Sequence, residues 1–228
     1  MRTLSSDEAR VVGVLVEKQA TVPDSYPLSL NALSSGCNQK TARHPVLALS
    51  DADVLTALDS LKALSLVFEV SGSRVVRFEH NLGRVLGVPS QAVALLALLM
   101  LRGPQTAAEL RLNAERLHRF ADVSSVEGFL DELAAREPPA VLRLARAPGE
   151  REPRWVHCLC GQPAEADVAP SNAPLPDSTR LDGGEALRAI QALEATVAAL
   201  ADAQAQLRSE VESLRAQVRR LADDAGAG

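Results

Sequence analysis

The side chains able to do chemistry on their own are few in this chain of 228 residues. They are three cysteines, Cys37, Cys158 and Cys160, and four histidines, His44, His80, His118 and His157. The closest grouping is His157-Cys158-Leu159-Cys160. Successive strand residues face opposite sides, so His157 and Leu159 fall on one face and both cysteines on the other. No second cluster completes a tetrahedral metal shell. The segment reads as a plain strand near a domain edge. Cys37 ends a helix beside Lys40, a cation that would lower a thiol pKa, but small apolar packing is the reading favoured. No glycine-rich phosphate loop, H-E-x-x-H or G-x-S-x-G pattern is present. The expectation is a protein that is not an enzyme and uses no cofactor and no metal.

The remaining chemistry is charge. Lys and Arg number 24 against 29 Asp and Glu, a net charge of −5. The imbalance is local: residues 161–228 hold 6 basic and 11 acidic residues, while residues 1–160 are balanced. The overall acidity therefore says little about any one surface of the first 160 residues. Aromatics are 3% of the chain, which leaves no platform for binding nucleic acid by base stacking. At 46% hydrophobic and 23% charged, the composition supports a packed core. The polar start MRTLSSDEAR lacks the apolar stretch of a signal peptide, and the apolar run Val93 to Leu101 is far short of the roughly 20 residues that span a bilayer. With so few cysteines the reading is a cytoplasmic chain with reduced thiols, away from membranes.

Cations gather in two kinds of place. Gln39, Lys40, Thr41, Arg43 and His44 form a polar loop, and Arg74 and Arg77 flank a Ser71-Gly72-Ser73 turn. Further on, Arg111, Arg116 and Arg119 precede an acidic helix, and Arg143, Arg146, Arg151 and Arg154 surround Pro148-Gly149. The elements that must position them follow from periodicity. Ser5 or Ser6 caps a helix with Val11, Val12, Leu15 and Val16 on its apolar face. Ser29 starts a short helix that stops near Gly36. Ser50 with Asp53 resembles a capping box ahead of Val54, Leu55, Leu58, Leu61 and Leu64. Strand formers then lie on either side of a tight turn at 66–78, a hairpin. A helix at 91–101, a second opening at Thr106, a third capped within 122–125 and a hairpin over 141–159 repeat that order at a period of roughly 85 residues.

Three helices followed by a hairpin is the order of a winged helix-turn-helix. The fold expected is mainly α with small β-hairpins (α+β). Two such domains, residues 1–82 and 83–161, precede a flexible Pro/Gly linker at 162–184 and a C-terminal coiled-coil helix at 185–223. In that helix Ile190, Val197, Gln204, Val211 and Val218 fall at heptad position a, and Leu193, Leu200, Leu207, Leu214 and Leu221 at position d. β-branched residues at a with Leu at d favour a parallel two-stranded coil. The helix would be roughly 58 Å long at its usual rise per residue. Ten apolar or amide a/d residues left in water would make a large exposed patch, so the seam is expected to join two copies of the chain. The expected dimer contacts are Ile190, Leu193, Val197, Leu200, Leu207, Val211, Leu214, Val218 and Leu221.

The stretches YPLSLNAL (26–33), CNQKTAR with HPV (37–46), ALDSLKALSLV (57–67), GSRVVRFEH (72–80), LLMLRGPQTAAELR (98–111) and LARAPGEREPRWVH (144–157) occur in that order. They resemble the YceH-like family of bacterial proteins, and they cover most of residues 4–161. The resemblance implies tandem winged helices with a heptad-rich tail, and it implies no activity. After ELR the family pattern has a further Arg where this chain has Asn113, which removes one charge from any phosphate contact there.

Two functions compete. A dimer could hold double-stranded DNA through phosphate contacts from Gln39, Lys40, Arg43, Arg74, Arg77, Arg111, Arg116 and Arg151, with Gln39 as a base reader and affinity that falls steeply with salt. Alternatively the modules bind other proteins, as a scaffold without nucleic acid. In both units the third helix is acidic: Asp51, Asp53 and Asp59 in the first, Asp122, Glu127, Asp131 and Glu132 in the second. From the sequence alone the DNA reading stands slightly ahead.

Overall fold

The computed structural model describes residues 2–70, 75–146, 150 and 152–161. The expected linker and coil at 162–223, and the dimer contacts from Ile190 to Leu221, lie outside the described residues.

Two helices, each with a long run of buried residues, set the frame. Helix α1 (Ser6–Thr21) opens on a capping box: the Ser5 side chain accepts from the Glu8 backbone N–H, and the Glu8 carboxylate accepts from Ser5. Every residue from Glu8 to Val16 is buried. Between α1 and the second helix lie a short 3₁₀ turn (Pro23–Ser25) and the two-residue strand β1 (Leu28–Ser29). Helix α2 (Leu30–Cys37) is capped by the Ser29 side chain, and α3 (Asp51–Ala63) by the Ser50–Asp53 box. Strands β2 (Val67–Val70) and β3 (Arg77–His80) close this half, with β1 pairing to the far edge of β3. The sheet is antiparallel, with Leu28 opposite Phe78 and Val67 opposite His80.

A short helix, α4 (Leu82–Leu86), leads to α5 (Ser90–Arg102), in which Ala92 to Leu101 are all buried. A helix apolar on every face has to sit inside, and α5 is the central one. Then α6 (Ala107–Ala114), α7 (Val123–Ala134) and the antiparallel hairpin β4 (Val141–Arg143) and β5 (Trp155–His157) follow. Gln105 bridges to Trp155 as Leu28 pairs with Phe78. The order helix, extended segment, helix, helix, hairpin therefore occurs twice.

The repeat is tighter than the spacing of its helices suggests. Pro27 and Pro104, Leu28 and Gln105, Arg77 and Arg154, Phe78 and Trp155, and His80 and His157 each stand 77 residues apart. Arg77 donates to the Pro27 carbonyl at 2.8 Å, and Arg154 to the Pro104 carbonyl at 3.1 Å. The expected period of roughly 85 holds for the entry of α1 and α5 and shortens afterwards.

One contiguous core runs through both halves, and α1 against α5 is its most extensive helix contact. Close approach is possible because Gly13 of α1 has no side chain: a Cβ there would lie 3.0 Å from Leu101. The expected boundary at residues 82–83 falls at the start of α4, between halves that share this core. The mainly helical α+β class with small antiparallel sheets is what the molecule shows.

Candidate interaction surface

The loop from Asn38 to Ser50 was the first place expected to meet phosphate, and its arginine points elsewhere. Arg43 is 6% exposed and its guanidinium is enclosed. It donates to Glu17 of α1 at 2.6 and 3.1 Å, to the Gly36 carbonyl at 3.1 Å and to Gln39 Oε1 at 2.7 Å. Burial pushes the Glu17 carboxyl up, and the Arg43 guanidinium outweighs it and holds the carboxyl below its ordinary value. Arg43 is thus an interior strut, and the expectation that it contacts phosphate is corrected. The reason is geometric: Gly36 lets α2 press on α1, with a notional Cβ only 2.6 Å from Val14, and the following turn folds Arg43 inward beneath α2. Gln39 is half-buried, and its Oε1 accepts from the same guanidinium.

Beside it lies a second buried guanidinium that the sequence reading missed. Arg10, 2% exposed, donates to the Cys37 and Pro45 carbonyls, while its Nε has no partner. Burial and the neighbouring Arg43 charge both lower its pKa from the ordinary arginine value. The loop also reaches the second half. The His44 backbone N–H donates to the Leu101 carbonyl at 2.7 Å, and its ring would sit 3.1 Å from a Cβ on Gly103. A signal existed in Arg10, a charge within the apolar pattern of α1, but nothing in one sequence names its partners.

The other expected contact residues divide. Lys40 is exposed and has no ion pair among the described residues. Arg77 is half-buried and holds the Ser25 and Pro27 carbonyls, so it fastens β3 to the chain entering β1 rather than standing in a wing. Arg111 is exposed with one donor on the Ala121 carbonyl, and Arg116 is exposed without an ion pair among the described residues. Arg74 and Arg151 lie outside the described residues.

The third helix of each half turns a different chemistry outward. On α3 the exposed residues include Asp51, Asp53, Leu55, Thr56 and Asp59. Its one cation, half-buried Lys62, is held between Asp59 at 2.9 Å and Glu69 at 3.1 Å. On α7 the exposed residues include Ser124, Glu127, Gly128, Asp131 and Glu132, with Asp122 capping the helix. Each face is acidic with gaps of small or apolar side chains, and neither has an unpaired cation among the described residues.

The thiols and imidazoles bear on reactivity. Cys37 is fully buried, and burial pushes its thiol up to about 12, far from a reactive thiolate. Burial lowers His80 and His157 to about 4, so both rings are neutral near pH 7. Among the described residues no three His, Cys, Asp or Glu side chains group as a metal site, and no helix is long and apolar enough to cross a membrane.

Residues 4–150 match the family described as "Protein of unknown function, DUF480". The chain belongs to that family. It is 63% identical over 225 residues to a UPF0502 protein of Leptothrix cholodnii, spanning 99% of this chain and 96% of that one. A UPF0502 protein of Burkholderia multivorans is 62% identical over 226 residues, covering 99% and 91%. One from Cupriavidus taiwanensis is 59% identical over 224 residues, covering 98% and 90%. The DUF480 match runs from the first residue of the core into the segment between β4 and β5. It takes in both halves and both acidic helices.

Proposed function

We propose that this DUF480 protein is a non-catalytic, cytoplasmic module of two winged-helix units, residues 1–82 and 83–161, that binds a protein partner through the outer faces of α3 and α7. One observation carries the reading: the helix that a winged helix would lay in the DNA major groove is acidic on its exposed face in both halves. Carboxylates facing phosphates repel, and Lys62 is already neutralised. Inward burial of Arg43 removes a further phosphate contact. The winged-helix comparison itself is an argument from the repeated element order and carries no activity with it.

Pairing through the heptads at 185–223 would present these faces twice, about a two-fold axis. Sedimentation equilibrium tests the pairing: the full chain is expected to be a dimer and a chain ending at residue 184 a monomer, whereas a monomeric full chain refutes it.

A second reading has its own support. Lys40, Arg111 and Arg116 are exposed cations, enough for weak contact with double-stranded DNA. Fluorescence anisotropy against a mixed-sequence duplex separates the two. The protein-binding reading expects no binding at about 50 mM salt. DNA binding through several phosphates would lose about 10³–10⁵ in affinity between about 50 and 200 mM. Such a loss, together with weakening in Lys40→Ala and Arg116→Ala, would replace the first reading with the second. Photo-crosslinkers at Thr56 and Gly128 test the protein reading directly. Discrete adducts that vanish in Asp59→Lys with Asp131→Lys are expected, and adducts indifferent to that reversal count against it.

A further inference from the structure

A cleft of about 410 Å³ opens where α1, the end of β3, α4 and α5 meet. That is within the usual size range for small-molecule sites. Its walls are mixed. Val16, Val88, Val93, Ala94 and Leu117 supply apolar surface, while Gln19, His80, Asn81, Arg84 and Ser90 supply polar groups. Among the described residues no Asp or Glu lines this cleft. Arg84 is exposed and has no ion pair among the described residues. The His80 ring is tied through Nε2 to Gln19 Oε1 at 2.8 Å, and burial keeps it uncharged near neutrality. Among the described lining residues the fixed positive charge is therefore the Arg84 guanidinium.

The second donor set comes from the backbone. Ser90, the first residue of α5, lines the cleft. Helix α5 follows Pro89, which offers no side-chain cap, and its first turn has no acidic residue. The opening N–H groups of α5 thus have no capping acceptor, and the helix dipole adds positive potential at that end. By contrast the openings of α1, α3 and α6 are closed by the Glu8, Asp53 and Glu109 carboxylates. An anionic head can meet Arg84 and the start of α5 while an apolar body lies on Val16, Val93 and Leu117.

We infer that the cleft is a binding site for a small carboxylate with an apolar body, its carboxylate held by Arg84 and the opening turn of α5. The cleft is bounded by elements of both halves, so an occupant would bear on how α4 and α5 sit against α1. This inference is independent of what α3 and α7 bind.

The probe is benzoate, titrated into the full chain and followed by amide ¹H–¹⁵N shifts. The expected result is saturable shifts concentrated at Gly83, Arg84, Ser90 and Gln91. Loss of the charge-assisted pair in Arg84→Gln should weaken binding about tenfold. Ala20→Trp, a change on an exposed lining residue, should block it while leaving the spectrum elsewhere intact. Benzyl alcohol, which has the ring without the charge, and inorganic phosphate, which has charge without the ring, are each expected to bind at least about tenfold more weakly. Shifts confined to other regions, an affinity unchanged by Arg84→Gln, equal binding of benzyl alcohol or phosphate, or no saturable binding of benzoate would each overturn the assignment.

Discussion

At β1, at the second helix and at the contacts of the last strand the two halves of the molecule run 77 residues apart, while their third helices stand 72 apart because the loop between second and third helix differs in length. The shared contacts are those of the frame: an arginine at the opening of the last strand, Arg77 in β3 and Arg154 just before β5, holding a proline carbonyl, and a half-buried histidine at that strand's end. The loops differ in length and in the direction of their charges. Thirteen residues link α2 to α3, and their arginine is enclosed; eight link α6 to α7, and Arg116 and Arg119 stay in solvent. A frame built from backbone acceptors tolerates this divergence, because neither loop contributes to the strand pairing. Charge in such a loop is therefore a poor guide to function until its direction is known.

The sharpest break of this comparison is to remove one arginine from each loop. Arg43→Ala strands the Glu17 carboxylate in a largely buried site and should cost about 3–5 kcal/mol. Arg116→Ala should stay within about 0.5 kcal/mol. Urea midpoints measure both, and equal losses would show that the loops do not differ in kind. Replacing the pair together, Glu17→Leu with Arg43→Met, should recover most of the loss, because it leaves no buried charge behind.

The shared histidines give a prediction in pH. His80 and His157 are both lowered to about 4 by burial, against an unperturbed value of about 6.5. Above about 6.5 the rings are neutral in folded and unfolded chains alike, so they impose no pH dependence. Between about 6.5 and 4 the unfolded chain takes up protons that the folded chain refuses, and stability falls as pH falls. Melting temperatures across that window should flatten by similar amounts in His80→Phe and His157→Phe. A change in only one of them would separate two positions that the repeat makes equivalent.

A smaller effect tests the one polar exchange within the frame. Leu28 packs against Phe78 at 2% exposure, whereas its counterpart Gln105 is 5% exposed and fully used. Gln105 donates to the Leu98 carbonyl at 3.1 Å and accepts from Asn113 at 2.7 Å. Leu28→Gln places an amide where no such partners stand and should cost about 2–3 kcal/mol. Gln105→Leu frees the half-buried Asn113 amide to turn toward water, leaves the Leu98 carbonyl within its helix, and should cost about 1 kcal/mol. Denaturation midpoints showing the reverse order would mean that Leu28 and Gln105 do not occupy equivalent places in the shared core.

Much of the frame was legible because it is written in local signals. The Ser5, Ser29 and Ser50 caps and the Thr106 and Asp122 starts stand where residue type and periodicity placed them, and both hairpins are present, though β3 runs Arg77–His80, past the expected end at 78. β1 and α4 were not read, since two and five residues are too short to show a period. The candidate surface was legible in the acidity of α3 and α7. Misread were the directions of side chains: Arg43 and Arg77 satisfy backbone and carboxylate acceptors that are distant in sequence, and no local pattern reports such partners. Arg10 was passed over for the same reason, and so was the cleft, whose lining comes from four separate stretches of chain.

The smallest effect lies where the two halves begin. Helix α1 enters through the Ser5–Glu8 box and α5 through an uncapped Pro89, so the first has a terminus already satisfied and the second does not. Ser5→Ala should therefore destabilise the chain by about 1 kcal/mol. Pro89→Asp should stabilise it by about 0.5–1 kcal/mol, since it supplies both a side-chain acceptor and a negative charge beside the helix dipole. The same carboxylate would occupy the N–H groups assigned to a ligand. Pro89→Asp should then bind benzoate more weakly than the unaltered chain while melting at a higher temperature. That opposition distinguishes a helix start left open for an occupant from one that is merely less stable. If stability and affinity rise together, α5 opens onto the cleft without contributing to it, and the contrast between the two entering helices is one of stability alone.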